Sequence, residues 1–317
     1  MNPIIKIQNL TVVYDKGMPS EVKALDGVNV NIYPEEFVII FGPSGCGKST
    51  LLYVMAGIER SIETTSQVWI KNKDLVKMTK EELILFHRES MGMVFQAFNL
   101  ISNLNVLQNV ALPQVFAGVD SNIRIKKAKA MLARLNISQY AARFPQQLSG
   151  GQQQRVGIAR ALVNDTDIIL ADEPTGNLDS ENALNVINLL QNLSKQEKKT
   201  VVMVTHESQY IKYGTKIVYV KDGKVLKEEK IDQEPANSQK KEDKNEVENF
   251  EKDKKIEIKI PTQEKLPESK KDPEKTEEKL KTEQKPKVEH GNTEKEKISP
   301  ALENYKQLLE EKEISAP

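Results

Sequence analysis

FVIIFGPSGCGKSTLLYVMAGI, residues 37–58, sets a β-branched apolar run directly before a glycine-rich turn and an apolar helical stretch directly after it. The inner segment GPSGCGKST, residues 42–50, fits G-x-x-x-x-G-K-[ST] in the strand–turn–helix setting that the pattern requires. Gly42, Gly45 and Gly47 let the backbone bend around a phosphate with its N–H groups inward, and the start of the following helix adds its positive dipole end. Pro43, Ser44 and Cys46 fill the variable positions of this cradle. Lys48 is expected to reach the β and γ phosphates, Ser49 to ligate Mg²⁺ through its hydroxyl, and Thr50 to add phosphate contacts. A reactive thiolate needs an activating base, and none lies near Cys46 in sequence, so this residue reads as a small space-filler.

Outward from the loop, IIKIQNLTVVY (4–14) and VNVNIYPEEFVIIF (28–41) read as strands, the second ending in the continuous run of a strand buried on both faces. The same pattern returns at DIILADEP (167–174), TVVMVTH (200–206) and KIVYVKDG (216–223), with a helix from Asn182 to about Lys195 between the first two. Strands alternating with helices predict a mainly parallel α/β sheet. From about 98 to 162 the strand signal weakens. There SNIRIKKAKAMLARLNI and GQQQRVGIARALV read as helices separated by Pro145 and Gly150, an α-helical subdomain inserted into the core.

Composition narrows the function classes. The chain has 317 residues, with 46 Lys and Arg against 46 Asp and Glu, so no global field recommends a nucleic acid as partner. One cysteine excludes an internal disulfide, and three scattered histidines suggest no zinc cluster. The amino terminus lacks a signal-peptide pattern, and no run approaches a membrane span, which predicts a cytoplasmic location. After about 227, Lys, Glu and Pro dominate and only Phe250 and Tyr305 are aromatic, which predicts a disordered tail over 227–317. ISPALENYKQLLEEKE (298–313) has the pattern of a short amphipathic helix within it.

Two further segments carry chemistry. Asp172 ends a strand, where α/β folds place their ligands, and can hold the Mg²⁺ shell; Glu173, one residue on, can orient or deprotonate an attacking water. His206 ends another strand and can hydrogen-bond a γ phosphate.

LSGGQQQR at 148–155 resembles the ABC signature motif. With the phosphate loop upstream and ADEPTGNLD (171–179) downstream, the chain resembles the ABC ATPase family over about residues 3–226. The resemblance implies a P-loop NTPase (RecA-like) α/β core with an antiparallel β subdomain and the helical insert. It also implies ATP and Mg²⁺ as cofactors and a dimer in which Ser149, Gly150, Gly151 and Gln152 of one protomer meet the ATP held by the other. By position, Tyr14 resembles the aromatic that stacks on adenine. Gln96 resembles the glutamine joining the metal site to a permease, and Asn177, Leu178 and Asp179 resemble the loop that communicates between sites.

FNLISNLNVLQNVALPQVFAGV (98–119), together with the runs at 148–163 and 169–180, is similar to the MacB and LolD branch, with FtsE-type ATPases close by. That branch implies an FtsX-like permease on a separate chain and a place on the inner face of the plasma membrane through it. Two departures from the usual pattern are Pro34-Glu35-Glu36 in place of a glycine turn and Thr65-Ser66-Gln67 in place of a Ser-Gly-Glu turn. The rival reading, a soluble ABC ATPase acting on ribosomes or DNA, would carry a second cassette or a long coiled-coil insert, and neither pattern is in the sequence.

Overall fold

The computed structural model describes residues 2–231. The first half of that span contains β1 (Ile5–Tyr14), β2 (Val22–Ile32), β3 (Phe37–Phe41), α1 (Lys48–Met55), β4 (Gln67–Ile70), β5 (Lys73–Asp74), α2 (Lys80–Ser90), β6 (Met91–Val94) and α3 (Val106–Phe116). The second half adds α4 (Ser121–Arg134), α5 (Gly150–Leu162), β7 (Ile168–Asp172), α6 (Ser180–Lys195), β8 (Thr200–Thr205), β9 (Lys216–Lys221) and β10 (Lys224–Lys230). The strands form a four-stranded antiparallel sheet ordered β2-β1-β4-β5 and a six-stranded sheet ordered β10-β9-β3-β8-β7-β6. The latter is parallel except for β10. The α/β core, the antiparallel β subdomain and the helical insert are thus all present, with α3, α4 and α5 inside 98–162.

Two apolar clusters sandwich the parallel sheet, and the two-residue period of a strand decides which side chain enters which. Val38 and Ile40 of β3, Ile168 and Leu170 of β7, and Val202 and Val204 of β8 pack with α1 and the antiparallel sheet. The odd-numbered neighbours Phe37, Ile39, Ile169, Ala171, Val201 and Met203 pack with α3, α4, α5 and α6. Both faces being covered, these strands tolerate apolar residues at every position.

The single strand expected over 28–41 is in fact two, in different sheets. Val28, Val30 and Ile32 are buried while Asn29 and Asn31 are exposed, the alternation of a half-buried antiparallel strand, whereas Phe37 to Ile40 are all buried. Between them Pro34 offers no N–H, and Glu35 adopts φ 67°, a left-handed conformation that glycine would take without strain. At the other departure Ser66 is buried and its hydroxyl accepts from the Thr11 N–H at 3.0 Å, tying the turn to β1.

Two helices escaped the sequence reading. α2 begins with a Thr79–Glu82 capping box, and α3 with an Asn105–Gln108 box but contains Pro113, which argues against a helix on pattern alone. The carboxyl end also differs: β10 runs to Lys230, beyond the boundary read at 226. Its Lys and Glu side chains face solvent on an edge strand, and Glu228 pairs with the buried Lys216 at 2.6 Å. The rest of the tail expected to be disordered, and the short helix at 298–313, lie outside the described residues.

Candidate nucleotide site

The phosphate loop leaves β3 at the centre of the parallel sheet and winds into α1. Gly47 caps that helix at φ 99°, and a Cβ there would lie 2.5 Å from the Ala24 carbonyl oxygen, so only glycine fits. Gly42 is held as tightly: a Cβ there would run into the Val220 carbonyl and lie 2.9 Å from Cys46 Sγ. Cys46 is buried, and its thiol donates to the Val220 carbonyl at 3.2 Å, which suits a filler that locks the loop to β9. Pro43, Ser44 and Gly45 are exposed and form the rim. Lys48 is buried, its ammonium donating to the Pro43 carbonyl at 2.7 Å across the loop's mouth.

Strand parity brings together Ser49 and Asp172, the two residues expected to hold Mg²⁺. Asp172 is even-numbered, so at the end of β7 it turns to the α1 side, where Ser49 Oγ donates to its Oδ1 at 2.8 Å. Tyr53, one turn further along α1, donates to Oδ2 at 2.6 Å. Burial pushes the Asp172 carboxyl above the usual carboxylate range. The bonds from Tyr53 and Ser49 pull it back, the Glu173 charge adds to the push, and the Lys48 charge opposes it. Burial, followed by the Asp172 charge, raises the Tyr53 hydroxyl as well.

Glu173 stands at φ 40°, rare for a residue with a Cβ, its N–H bonded to the Val204 carbonyl at 3.1 Å. Its Oε1 lies 3.1 Å from His206 Nδ1 at the end of β8. The two sequence-predicted residues therefore meet, the carboxylate mostly covered and the imidazole half exposed.

Tyr14 comes to the loop from β1. Its hydroxyl donates to Glu59 Oε2 at 2.8 Å and lies 3.4 Å from Thr50 Oγ1. Gln96 is exposed and lines a cleft with Thr175, Gly176 and His206. Its side-chain amide packs against Gly176, where a Cβ would sit 2.7 Å from Nε2, and its backbone carbonyl accepts from Asn177 Nδ2 at 3.0 Å. No hydrogen bond among the described residues joins it to Ser49 or Asp172.

The signature starts α5. Ser149 is its exposed cap, in a reciprocal box with Gln152: Gln152 N–H to Ser149 Oγ at 3.4 Å and Ser149 N–H to Gln152 Oε1 at 3.0 Å. A Cβ on Gly151 would lie 2.5 Å from Asn182 Oδ1 and one on Gly150 3.3 Å from the Asn177 carbonyl, so the signature rests on the 177–182 segment of its own chain. Asp179 caps α6 through the Asn182 N–H at 2.9 Å, and these hydrogen bonds hold its carboxyl below the usual range. Within the chain Gln154 adds a tie the motif did not announce: buried on α5, it donates to the Pro174 carbonyl at 2.7 Å, next to Glu173. Tyr53 and Glu59 were also missed. Tyr53 is four residues from Ser49 on a helix, a spacing that puts both on one face, but an aromatic in an apolar stretch reads as core.

The ABC transporter family profile fits residues 25–176. An uncharacterized ABC transporter ATP-binding protein of Methanocaldococcus jannaschii, MJ1508, is 42% identical over 223 residues, 70% of this chain and 98% of that protein. The macrolide export ATP-binding/permease protein MacB of Hyphomonas neptunium is 39% identical over 224 residues, 71% of this chain but 34% of that longer protein. The solved dimeric structure of a post-hydrolysis state of the ATP-binding cassette MJ0796, bound to ADP and Pi, superimposes with a TM-score of 0.67 at 42% identity, covering 72% of this chain and 99% of that one. With its phosphate loop, carboxylate pair and signature set on that fold, the chain belongs to the ABC transporter family and is one of its ATP-binding, ATPase cassettes.

Proposed function

We propose that two copies of this chain close around two ATP molecules and drive a separate permease of the MacB or LolD export and release type. The observation that carries the reading is the division of donors: the phosphate loop, Asp172, Glu173 and His206 gather at the sheet's carboxyl edge, while exposed Ser149 caps a different helix start. A helix N-terminus facing outward suits a phosphate brought by another molecule. The dimeric state of the MJ0796 structure supports that arrangement.

In this mechanism Lys48 exchanges the Pro43 carbonyl for the β and γ phosphates, a short swing for a flexible ammonium already at the loop's mouth. The Tyr14 ring stacks on adenine. Glu173 accepts a proton from water as its oxygen attacks the γ phosphorus, the bond to the bridging oxygen breaks, and ADP and inorganic phosphate leave. His206 holds the carboxylate in place and offers a donor to the γ phosphate. Ser49 and Asp172 are hard oxygen ligands in contact and fit Mg²⁺, whose remaining positions phosphate and water would fill. That ion would offset phosphate charge as the bond breaks. Gln96, against Gly176 at the cleft that also holds His206, is the point where a permease would sense nucleotide state.

No helix among the described residues is long and apolar enough to cross a membrane, which fits a chain docked on the inner face through an FtsX-like partner. The match to MacB, whose name joins ATP-binding and permease functions, supports the export branch. The test is Glu173→Gln in the full chain. Turnover should fall by about 10²- to 10⁴-fold while an ATP-bound dimer accumulates on size exclusion, and the tagged variant should bring a permease out of solubilised membranes. An unaltered rate would refute Glu173 as base; recovery with ribosomes or DNA and no membrane protein would refute the transport role.

A further inference from the structure

Ser49 and Tyr53 are one turn apart on α1, so both side chains reach the same carboxylate. They take different oxygens: Ser49 Oγ lies 2.8 Å from Asp172 Oδ1 and Tyr53 OH 2.6 Å from Oδ2. The second distance lies in the range of a charge-assisted O–H···O⁻ bond and is the shorter of the two. Asp172 is 6% exposed, so solvent cannot supply the donor if Tyr53 does not.

We propose that Tyr53 is a positioning residue for the cation, pinning Asp172 Oδ2 so that Oδ1 stays turned toward Ser49. This rests on the reading of Ser49 and Asp172 as the Mg²⁺-holding pair. A carboxylate at a strand end turns readily about its last torsion, and Ser49 can donate to either oxygen. Only a donor on the far side distinguishes them. Tyr53 supplies it from a rigid, partly buried ring, and both contacts come from one helix, so the distance between the Ser49 ligand and the clamp is fixed by the helix itself. The hydroxyl touches neither phosphate nor water in this role. It acts through Asp172.

The experiment titrates MgCl₂ into the full-length chain at fixed mant-ATP and follows nucleotide fluorescence, with parallel titrations in EDTA, for the unaltered protein, Tyr53→Phe and Asp172→Asn. Tyr53→Phe should raise the half-saturating Mg²⁺ concentration by about tenfold, leave mant-ATP affinity in EDTA within about twofold, and regain most of its maximal ATPase rate at saturating Mg²⁺. An unshifted Mg²⁺ midpoint in Tyr53→Phe, with Asp172→Asn still shifted, overturns the role of Tyr53 alone. An equal loss of affinity in EDTA, or a chain that no longer melts cooperatively, also overturns it, because the hydroxyl would then be serving the fold. An Asp172→Asn chain with an unaltered midpoint would refute the metal pair itself.

Discussion

Replacing Tyr14 by Phe separates the hydroxyl's hydrogen bond from the stacking on adenine proposed for the ring. The hydroxyl donates to Glu59 Oε2 at 2.8 Å, and Glu59 is only 8% exposed, its other oxygen taking the Ser61 N–H at 2.6 Å. Burial, above all, pushes the Tyr14 hydroxyl up to about 12, so it remains a donor throughout the neutral range. Removing a donor from a buried carboxylate costs about 1.5–3 kcal/mol, and the lower half applies here because Tyr14 itself is only partly covered. The bond to Thr50 is long and adds little. At roughly 2–4 °C per kcal/mol for a domain of this size, Tyr14→Phe should melt about 3–9 °C lower without nucleotide. The ring survives, so ATP affinity at 25 °C should stay within about twofold, whereas Tyr14→Ala should lose a stacking contribution of about 1–3 kcal/mol, roughly 5- to 150-fold in Kd. Calorimetry and equilibrium ATP titration of the two variants make the comparison. If Tyr14→Phe melts with the unaltered protein, the hydroxyl does not anchor β1 to the Glu59 segment that follows α1. If it loses as much ATP affinity as Tyr14→Ala, the ring is not what holds the base.

Gly92→Ala should destabilise the chain by about 3 kcal/mol or more, since its Cβ would collide with the Ala161 carbonyl, 2.8 Å from the carbonyl carbon, and backbone must move to admit it; a melting temperature within 2 °C of the original would show that β6 and α5 are not so close. His87, packed against the Gly57 turn at the end of α1, is pushed down to about 4 by burial. The unfolded chain therefore takes up this proton near pH 6.5 and the folded one only near 4, so the contribution is flat above about pH 6.5 and stability is lost as pH falls between the two. Part of the ring still meets solvent, which keeps the loss below about 3 kcal/mol, and His87→Gln, compared by urea unfolding at pH 7 and pH 5, should show a smaller drop than the unaltered chain.

The legible and illegible parts of the chain differ for physical reasons. Phosphate binding needs backbone shape, and backbone shape needs glycine at fixed places, so residues 42–50 announce both the turn and its ligand. The doubly buried strands β3, β7 and β8 announce themselves by continuous apolar interiors, with polar residues only at their ends. What the pattern hid was long-range: nothing local says that Ile32 and Phe37 belong to different sheets, because Glu35 accepts a glycine conformation there. The charged edge strand β10 resembles the tail that follows it in composition, and only its pairing with β9 makes it a strand. Tyr53 and Gln154 have the same quality within the site. Each is an ordinary helical residue until β7 is laid beside α1 and α5.

The site also contains the places where this chain departs from what folding alone would favour. Asp172 is a carboxyl that burial pushes toward its neutral form, yet three oxygen-bearing groups meet there. Glu173, next in sequence, holds a left-handed backbone that a glycine would adopt at less cost, and Lys48 buries an ammonium against a single loop carbonyl. A chain selected for stability alone would relieve each of these separately, with an asparagine, a glycine and a smaller side chain. They instead sit together at the carboxyl ends of β3 and β7, and under the proposed function one event would relieve two of them: a magnesium nucleotide would supply a cation to Asp172 and anionic oxygens to Lys48. The strain at Glu173 has no such electrostatic remedy. It is a matter of direction, since a β-carbon held at that dihedral aims the carboxylate out of the sheet to where His206 meets it, and a relaxed backbone would aim it elsewhere.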